Sequence, residues 1–132
     1  MRLETTENQI QSAFFSWCAT NRRQMPELDL MFSIPNGAYK SQYAQGLFKR
    51  TGLRAGVPDV FFPVSRCGFL GMFIEFKSAT GRVSPAQKTW IENLTKEGYL
   101  VTTCRDWEIA AEMVTLYLKG KRVKVIEMIQ TK

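Results

Sequence analysis

Three features of the sequence predict an α/β fold built on a mixed four-stranded sheet. Segments with apolar residues at helical spacing alternate with short apolar runs of strand length. The runs 57–64 and 69–77 are separated only by the turn Ser65-Arg66-Cys67-Gly68, which implies an antiparallel pair. The runs 69–77 and 99–104 are separated by a helix-length segment, which implies a parallel pair with a right-handed crossover.

Each element has a local reason. Thr6-x-x-Gln9 has the form of a capping box, and Ile10, Ala13, Phe14, Trp17 and Cys18 then repeat on one helical face. Residues 28–34 read as a short strand, stopped by Pro35-Asn36-Gly37. Residues 41–51 read as a helix carrying Tyr43, Leu47 and Phe48, closed by Gly52. Pro58 opens the second strand, where a missing N–H is tolerated. Ser84-Pro85-x-Gln87 joins a capping box to a proline in the first helical position. Trp90, Ile91 and Leu94 form the stripe of that helix, which Gly98 ends. Asp106 caps a last helix with Ile109, Ala110, Met113, Leu116 and Tyr117 inside and Gly120 after it. The order is α-β-α-β-β-α-β-α. Residues 1–120 read as one domain, and 121–132 as a basic tail that could add an edge strand over Val123 to Ile129.

Composition narrows the function. The 132 residues carry 18 Lys+Arg against 12 Asp+Glu, a net charge of +6 that favours polyanionic partners. There is no histidine, which excludes Ser-His-Asp and Cys-His catalysis and any imidazole base. Cys18, Cys67 and Cys104 are odd in number and far apart, so neither a disulfide framework nor a cysteine zinc site is expected. No apolar run is long enough to span a membrane, and Glu4 and Glu7 interrupt any N-terminal signal. An intracellular location is the expectation. Between Asp29 and Asp59 there is no acidic residue, while Lys40, Lys49, Arg50 and Arg54 are basic, so this segment is a candidate phosphate-contact surface.

The chemistry concentrates at Gly56-Val57-Pro58-Asp59 and Ile74-Glu75-Phe76-Lys77. Strand alternation puts Phe73, Glu75 and Lys77 on one face, and Ile74 and Phe76 on the other. A carboxylate among such apolar neighbours in a central strand is costly unless compensated. A divalent cation shared by Glu75, Asp59 and a carbonyl oxygen would do so, and hard oxygen donors suit Mg²⁺ or Mn²⁺. Lys77 beside it could position a water or stabilise charge on a phosphoryl centre. On spacing alone, a solvated Glu75/Lys77 pair on an edge strand explains the motif equally well. Glu7 and Gln87 both lie on the inward stripes of their helices, although a first-turn acid and a capping box also account for them.

The ordered set of Glu7, Ile34-Pro35-Asn36-Gly37, Leu53-Arg54-Ala55-Gly56-Val57-Pro58-Asp59, Ile74-Glu75-Phe76-Lys77, Ser84-x-x-Gln87 and Gly98-Tyr99 resembles the virus-type replication-repair nuclease (VRR-NUC) family. That family belongs to the PD-(D/E)xK superfamily, and the likeness covers nearly the whole chain. The resemblance implies a restriction-endonuclease-like sheet with flanking helices. It implies that Asp59, Glu75 and the Phe76 carbonyl bind Mg²⁺, with Mn²⁺ as a substitute. Lys77 is then the water-activating residue, Glu7 an outer acid near the metal and Gln87 an active-site polar residue. It further implies a stand-alone homodimeric endonuclease acting on branched DNA such as four-way junctions. Lys40, Lys49, Arg50 and Arg54 would contact phosphates, with Arg82 and Lys88 at the entry of the third helix, and Tyr39 and Tyr43 could stack on unpaired bases. Phe61, Phe62, Phe69 and Met72 could either fill the sheet faces or form a two-fold interface. A flap nuclease, an exonuclease or a restriction-type enzyme could use the same residues. So could a catalytically silent DNA-binding module, though such a module has no need of a lysine behind paired acids.

Overall fold

The structure is a computed structural model and describes residues 4–35, 46–47 and 49–130. Helix α1 (Glu7–Asn21) leads through a 3₁₀ turn (Pro26–Leu30) into the two-residue strand β1 (Phe32–Ser33). Strands β2 (Val60–Phe62) and β3 (Met72–Phe76) follow, then α2 (Pro85–Lys96), β4 (Leu100–Cys104), α3 (Trp107–Leu118) and α4 (Arg122–Gln130). The sheet order is β1-β2-β3-β4. The first two pairings are antiparallel and the β3–β4 pairing is parallel, as the turn and the crossover predict. The caps also form as expected. Thr6 and Ser84 each close a full capping box, and the Asp106 side chain accepts from the Ile109 N–H.

One sheet face carries the main core. Val60, Phe62, Met72, Ile74, Phe76, Leu100 and Cys104 pack against Ile10, Phe14 and Cys18 of α1 and Ala110, Met113, Val114 and Tyr117 of α3. The Tyr117 hydroxyl donates to the Val64 carbonyl and accepts from the Arg66 N–H, which ties α3 to the chain leaving β2. The opposite face holds an aromatic row on neighbouring strands. Phe61 stacks on Phe73 at 4.3 Å, and Tyr99 meets Phe73 edge-on. Phe62 and Met72 are fully buried, Phe61 and Phe69 are half-buried, and Phe69 lies under the Arg122 guanidinium. Phe62 and Met72 therefore fill the core and are not available to an interface.

Several expectations need correction. Of the run 28–34, residues 28–30 end the 3₁₀ turn and only Phe32–Ser33 are strand; Leu28 and Met31 are three apart and both buried, which suits three residues per turn. Val123 to Ile129 is no edge strand but lies in helix α4. Its apolar residues Val125, Met128 and Ile129 are spaced three and four apart, and that spacing prevails over the β-branched composition. Strands β2, β3 and β4 are shorter than the apolar runs that mark them. Helix α2 buries none of its residues fully, so Trp90, Ile91 and Leu94 form only a half-buried stripe. Residues 46, 47, 49 and 50 are helical, in keeping with a helix there. Asn36, Gly37, Tyr39, Lys40, Tyr43 and Phe48 lie outside the described residues. No helix among the described residues is long and apolar enough to cross a membrane.

Candidate active site

The antiparallel register pairs Val60 with Ile74 and Phe61 with Phe73. One step further along the same register sets Asp59 opposite Glu75. Both are then on the face away from the main core, so the fold places two carboxylates as cross-strand neighbours. Like charges in that relation repel. The Asp59 carboxylate is anchored by the chain itself, since its Oδ2 accepts from the Phe76 N–H at 2.8 Å.

Glu75 is 2% exposed and Lys77 is 8% exposed, so the pair is not a solvated one. β3 is an interior strand with all five residues buried, and the edge-strand reading of Glu75 and Lys77 does not hold. Lys77 Nζ lies 3.7 Å from Glu75 Oε2, longer than a charge-assisted hydrogen bond. The same oxygen accepts from Gln87 Nε2 at 2.9 Å. Gln87 thus serves two purposes at once, because its Oε1 also accepts from the Ser84 N–H and completes the cap of α2. The other oxygen, Glu75 Oε1, is buried with no hydrogen-bond partner.

These surroundings push the Glu75 carboxyl up to about 8 from 4.5. Burial is the largest cause, and the charge of Asp59 adds to it. Lys77 works in the opposite direction, while the bond that only a protonated Glu75 could make to Asp59 and the charge of Glu7 add further upward pressure. Glu7 enters from the first turn of α1. A Cβ added at Gly81 would lie 3.3 Å from Glu7 Oε2 and 3.5 Å from Lys77 Cδ, so both side chains border the same loop.

A divalent cation suits this donor set. Two carboxylates with one orphaned, buried oxygen form a hard-oxygen site, and Phe76 lies between Glu75 and Lys77 to contribute its carbonyl. Among the described residues, no three His, Cys, Asp or Glu side chains converge closely enough to hold a metal unaided. A cation here would complete its shell with backbone oxygen, water and substrate phosphate, the usual habit of Mg²⁺. Glu7 accordingly stays outside the immediate donor set.

The loop that carries Asp59 is braced against α2. Trp90 Nε1 donates to the Ala55 carbonyl at 3.0 Å. Gly56 has φ +90°, and a Cβ there would sit 2.8 Å from the Ala86 carbonyl carbon and 2.9 Å from Ala86 Cβ. Sequence reading took Trp90 for a core residue, and nothing in its helical spacing revealed this clamp. Gly56→Ala therefore forces the loop off α2 and strains a left-handed backbone. The expected cost is about 2 kcal/mol, with Asp59 displaced from Glu75 and Gln87, and thermal unfolding measures it.

Of the basic residues singled out, Lys49, Arg50, Arg54, Arg82 and Lys88 are exposed. Arg54 precedes the Asp59 loop, and Arg82 and Lys88 flank the start of α2, on either side of the Gly56–Ala86 contact.

The VRR-NUC domain model matches residues 4–107. A solved structure described as a VRR_NUC domain protein superposes with a TM-score of 0.73 at 29% identity, over 89% of this chain and 91% of that chain. No curated protein matches the chain. The matched span begins before Glu7 and runs past β4, taking in Asp59, Glu75, Lys77 and Gln87. The chain belongs to the VRR-NUC domain family and is a nuclease domain.

Proposed function

We propose that this nuclease domain is a Mg²⁺-dependent, structure-selective DNA endonuclease, with Asp59, Glu75 and the Phe76 carbonyl as the metal-holding groups. The observation that carries the reading is the buried Glu75 carboxylate opposite Asp59, with one oxygen unpartnered and a lysine beside the other. A silent binding module gains nothing from burying such a group.

The reaction is hydrolysis of a phosphodiester: a water oxygen bonds to phosphorus, the bond to one ester oxygen breaks, and that oxygen leaves with a proton. The chemistry a divalent ion supplies at this position is stabilisation of charge on the phosphoryl oxygens and easier deprotonation of water. Gln87 fixes the orientation of Glu75 through its amide N–H. Asp59 is fixed by the Phe76 N–H. The Lys77 ammonium, 3.7 Å from the same carboxylate, orients the attacking water and offsets the negative charge that grows on the phosphoryl group. Glu7 adds negative potential that favours a cation over a free anion at the site.

Phosphate contacts from Lys49, Arg50, Arg54, Arg82 and Lys88, with Lys40 from the same basic segment, would position the backbone without reading sequence. The preference for four-way junctions and a homodimeric assembly rests on the family resemblance, and two-fold related sites would suit paired cuts in symmetric strands. Binding should weaken with salt by a log–log slope of about −0.9 for each duplex phosphate neutralised, and Arg54→Gln should reduce that slope by about one. Fluorescence anisotropy with labelled duplex at increasing NaCl checks this, and a slope near zero would remove these residues from the interface.

Incubating the protein with labelled four-way, flap, splayed and linear duplex DNA, with Mg²⁺ or with EDTA, tests the function itself. Mg²⁺-dependent cutting that favours branched substrates is expected. Cutting that persists in EDTA, or none with any DNA, would overturn the proposal.

A further inference from the structure

The segment directly after Lys77 is held by two residues outside the catalytic set. Loop 78–81 is Ser78-Ala79-Thr80-Gly81, short and partly exposed, with little side-chain bulk of its own. Arg105 Nη1 donates to the Ser78 carbonyl at 2.6 Å and to the Gly81 carbonyl at 2.8 Å, with a longer contact to Ala79 at 3.4 Å. The Glu4 carboxylate in turn accepts from the Thr80 N–H at 2.8 Å and from its hydroxyl at 2.9 and 3.0 Å. Those bonds hold the Glu4 carboxyl below its ordinary value. The loop also closes on itself, with the Gly81 N–H donating to Ser78 Oγ.

Register explains why Arg105 arrives there. The parallel pairing sets Phe76 beside Cys104, and the Lys77 N–H donates to the Cys104 carbonyl. One step further along that register sets Arg105 beside Lys77, and the arginine reaches forward over the loop that follows. Its position matters because the loop forms the wall of the site. The space at Gly81 where a Cβ would go is bounded by Glu7 Oε2, Lys77 Cδ and Ser78 Oγ. A loop that drifts outward withdraws the support of the Lys77 stem and of Glu7 together. The 3.7 Å spacing of Lys77 Nζ from Glu75 is already loose, so it has no tight bond of its own to maintain it.

We propose that Arg105 and Glu4 are positioning residues of the nuclease site, holding loop 78–81 through its carbonyls and through Thr80 so that Lys77 and Glu7 keep their places beside the carboxylates. The proposal rests on the nuclease reading above. It separates Arg105 from the basic residues assigned to phosphate contact, since its guanidinium is engaged with loop carbonyls.

The test uses the full chain, with Arg105→Ala, Arg105→Lys and Glu4→Gln compared with wild type in Mg²⁺-dependent cleavage. Arg105→Ala should lower kcat about tenfold or more, the scale of a small misplacement of a catalytic group. KM, Mg²⁺ affinity by calorimetry and the folded fraction by circular dichroism should stay within about twofold of wild type. Arg105→Lys should recover part of kcat, and Glu4→Gln should lose less than Arg105→Ala. Amide exchange at Thr80 and Gly81 should quicken in Arg105→Ala, a readout independent of cutting. A wild-type kcat in Arg105→Ala would overturn the proposal. So would a loss appearing only in KM, which would make Arg105 a phosphate contact, or a loss that merely follows unfolding. If the wild type itself cuts no DNA, the nuclease reading falls first and the proposal with it, an outcome distinct from a wild type that cuts alongside an unaffected Arg105→Ala.

Discussion

Glu75→Gln should abolish Mg²⁺-dependent cleavage and at the same time stabilise the metal-free protein at alkaline pH. The two effects share one cause. Glu75 is buried opposite a second carboxylate, so its neutral form is favoured in the folded state and its pKa stands at about 8 instead of 4.5. A carboxyl raised in this way contributes its full stability below its unfolded pKa and loses it as pH climbs through the folded one. The metal-free protein should therefore lose stability between about pH 4.5 and pH 8. Glutamine keeps the shape and the neutral charge, so the variant should not show this loss. Thermal unfolding in EDTA at pH 5 and pH 8.5 measures it: the Tm values should be similar at the lower pH, and the variant should melt several degrees higher at the upper one. Cleavage should fall by about 10³-fold or more, as removal of several kcal/mol of metal-supplied stabilisation requires. Full activity in Glu75→Gln at ordinary Mg²⁺ would remove Glu75 from the site.

Lys77→Met should separate chemistry from metal binding. Methionine keeps the length of the stem that packs beside Gly81 but removes the ammonium from Glu75. Single-turnover cleavage should drop by about 10²–10⁴-fold, the range for a residue that moves or holds a proton in the transition state. Mg²⁺ affinity should be retained or rise, because a neighbouring cation has gone. Asp59→Ala should show the opposite signature, losing Mg²⁺ affinity along with cleavage. Calorimetry on both variants checks the contrast, and equal loss of Mg²⁺ binding in Lys77→Met would make the lysine a structural counter-ion.

The central placement was legible in the sequence because it depends only on strand periodicity. Once 57–64 and 69–77 are taken as an antiparallel pair, Glu75 and Lys77 must share a face with Asp59 nearby. The Gln87 position was legible as well, since an inward-facing capping residue has few places to point. What the spacing of the motif left open was burial: an interior β3 and an edge β3 have the same alternation, and the pairing of β3 with both β2 and β4 distinguishes them. α4 was misjudged because Val123, Val125 and Ile126 favour strands locally, whereas contact with α3 selects the helical spacing. Arg105 and Glu4 left no local signal at all. Their partners are backbone carbonyls and a threonine 24 or more residues away; the parallel register brings Arg105 to the loop, and the packing of α1 on β3 brings Glu4.

The central claim is that Glu75 and Asp59 hold a divalent cation in place of a proton. Titration calorimetry of Mg²⁺ into wild type and Glu75→Gln at pH 7, repeated in two buffers of different ionisation enthalpy, tests it most directly. The carboxyl at about 8 is largely protonated at that pH. Wild type should then bind saturably and release about one proton per metal, and Glu75→Gln should show neither the binding nor the buffer dependence. Saturable Mg²⁺ binding that is identical in both proteins and releases no proton would contradict the account.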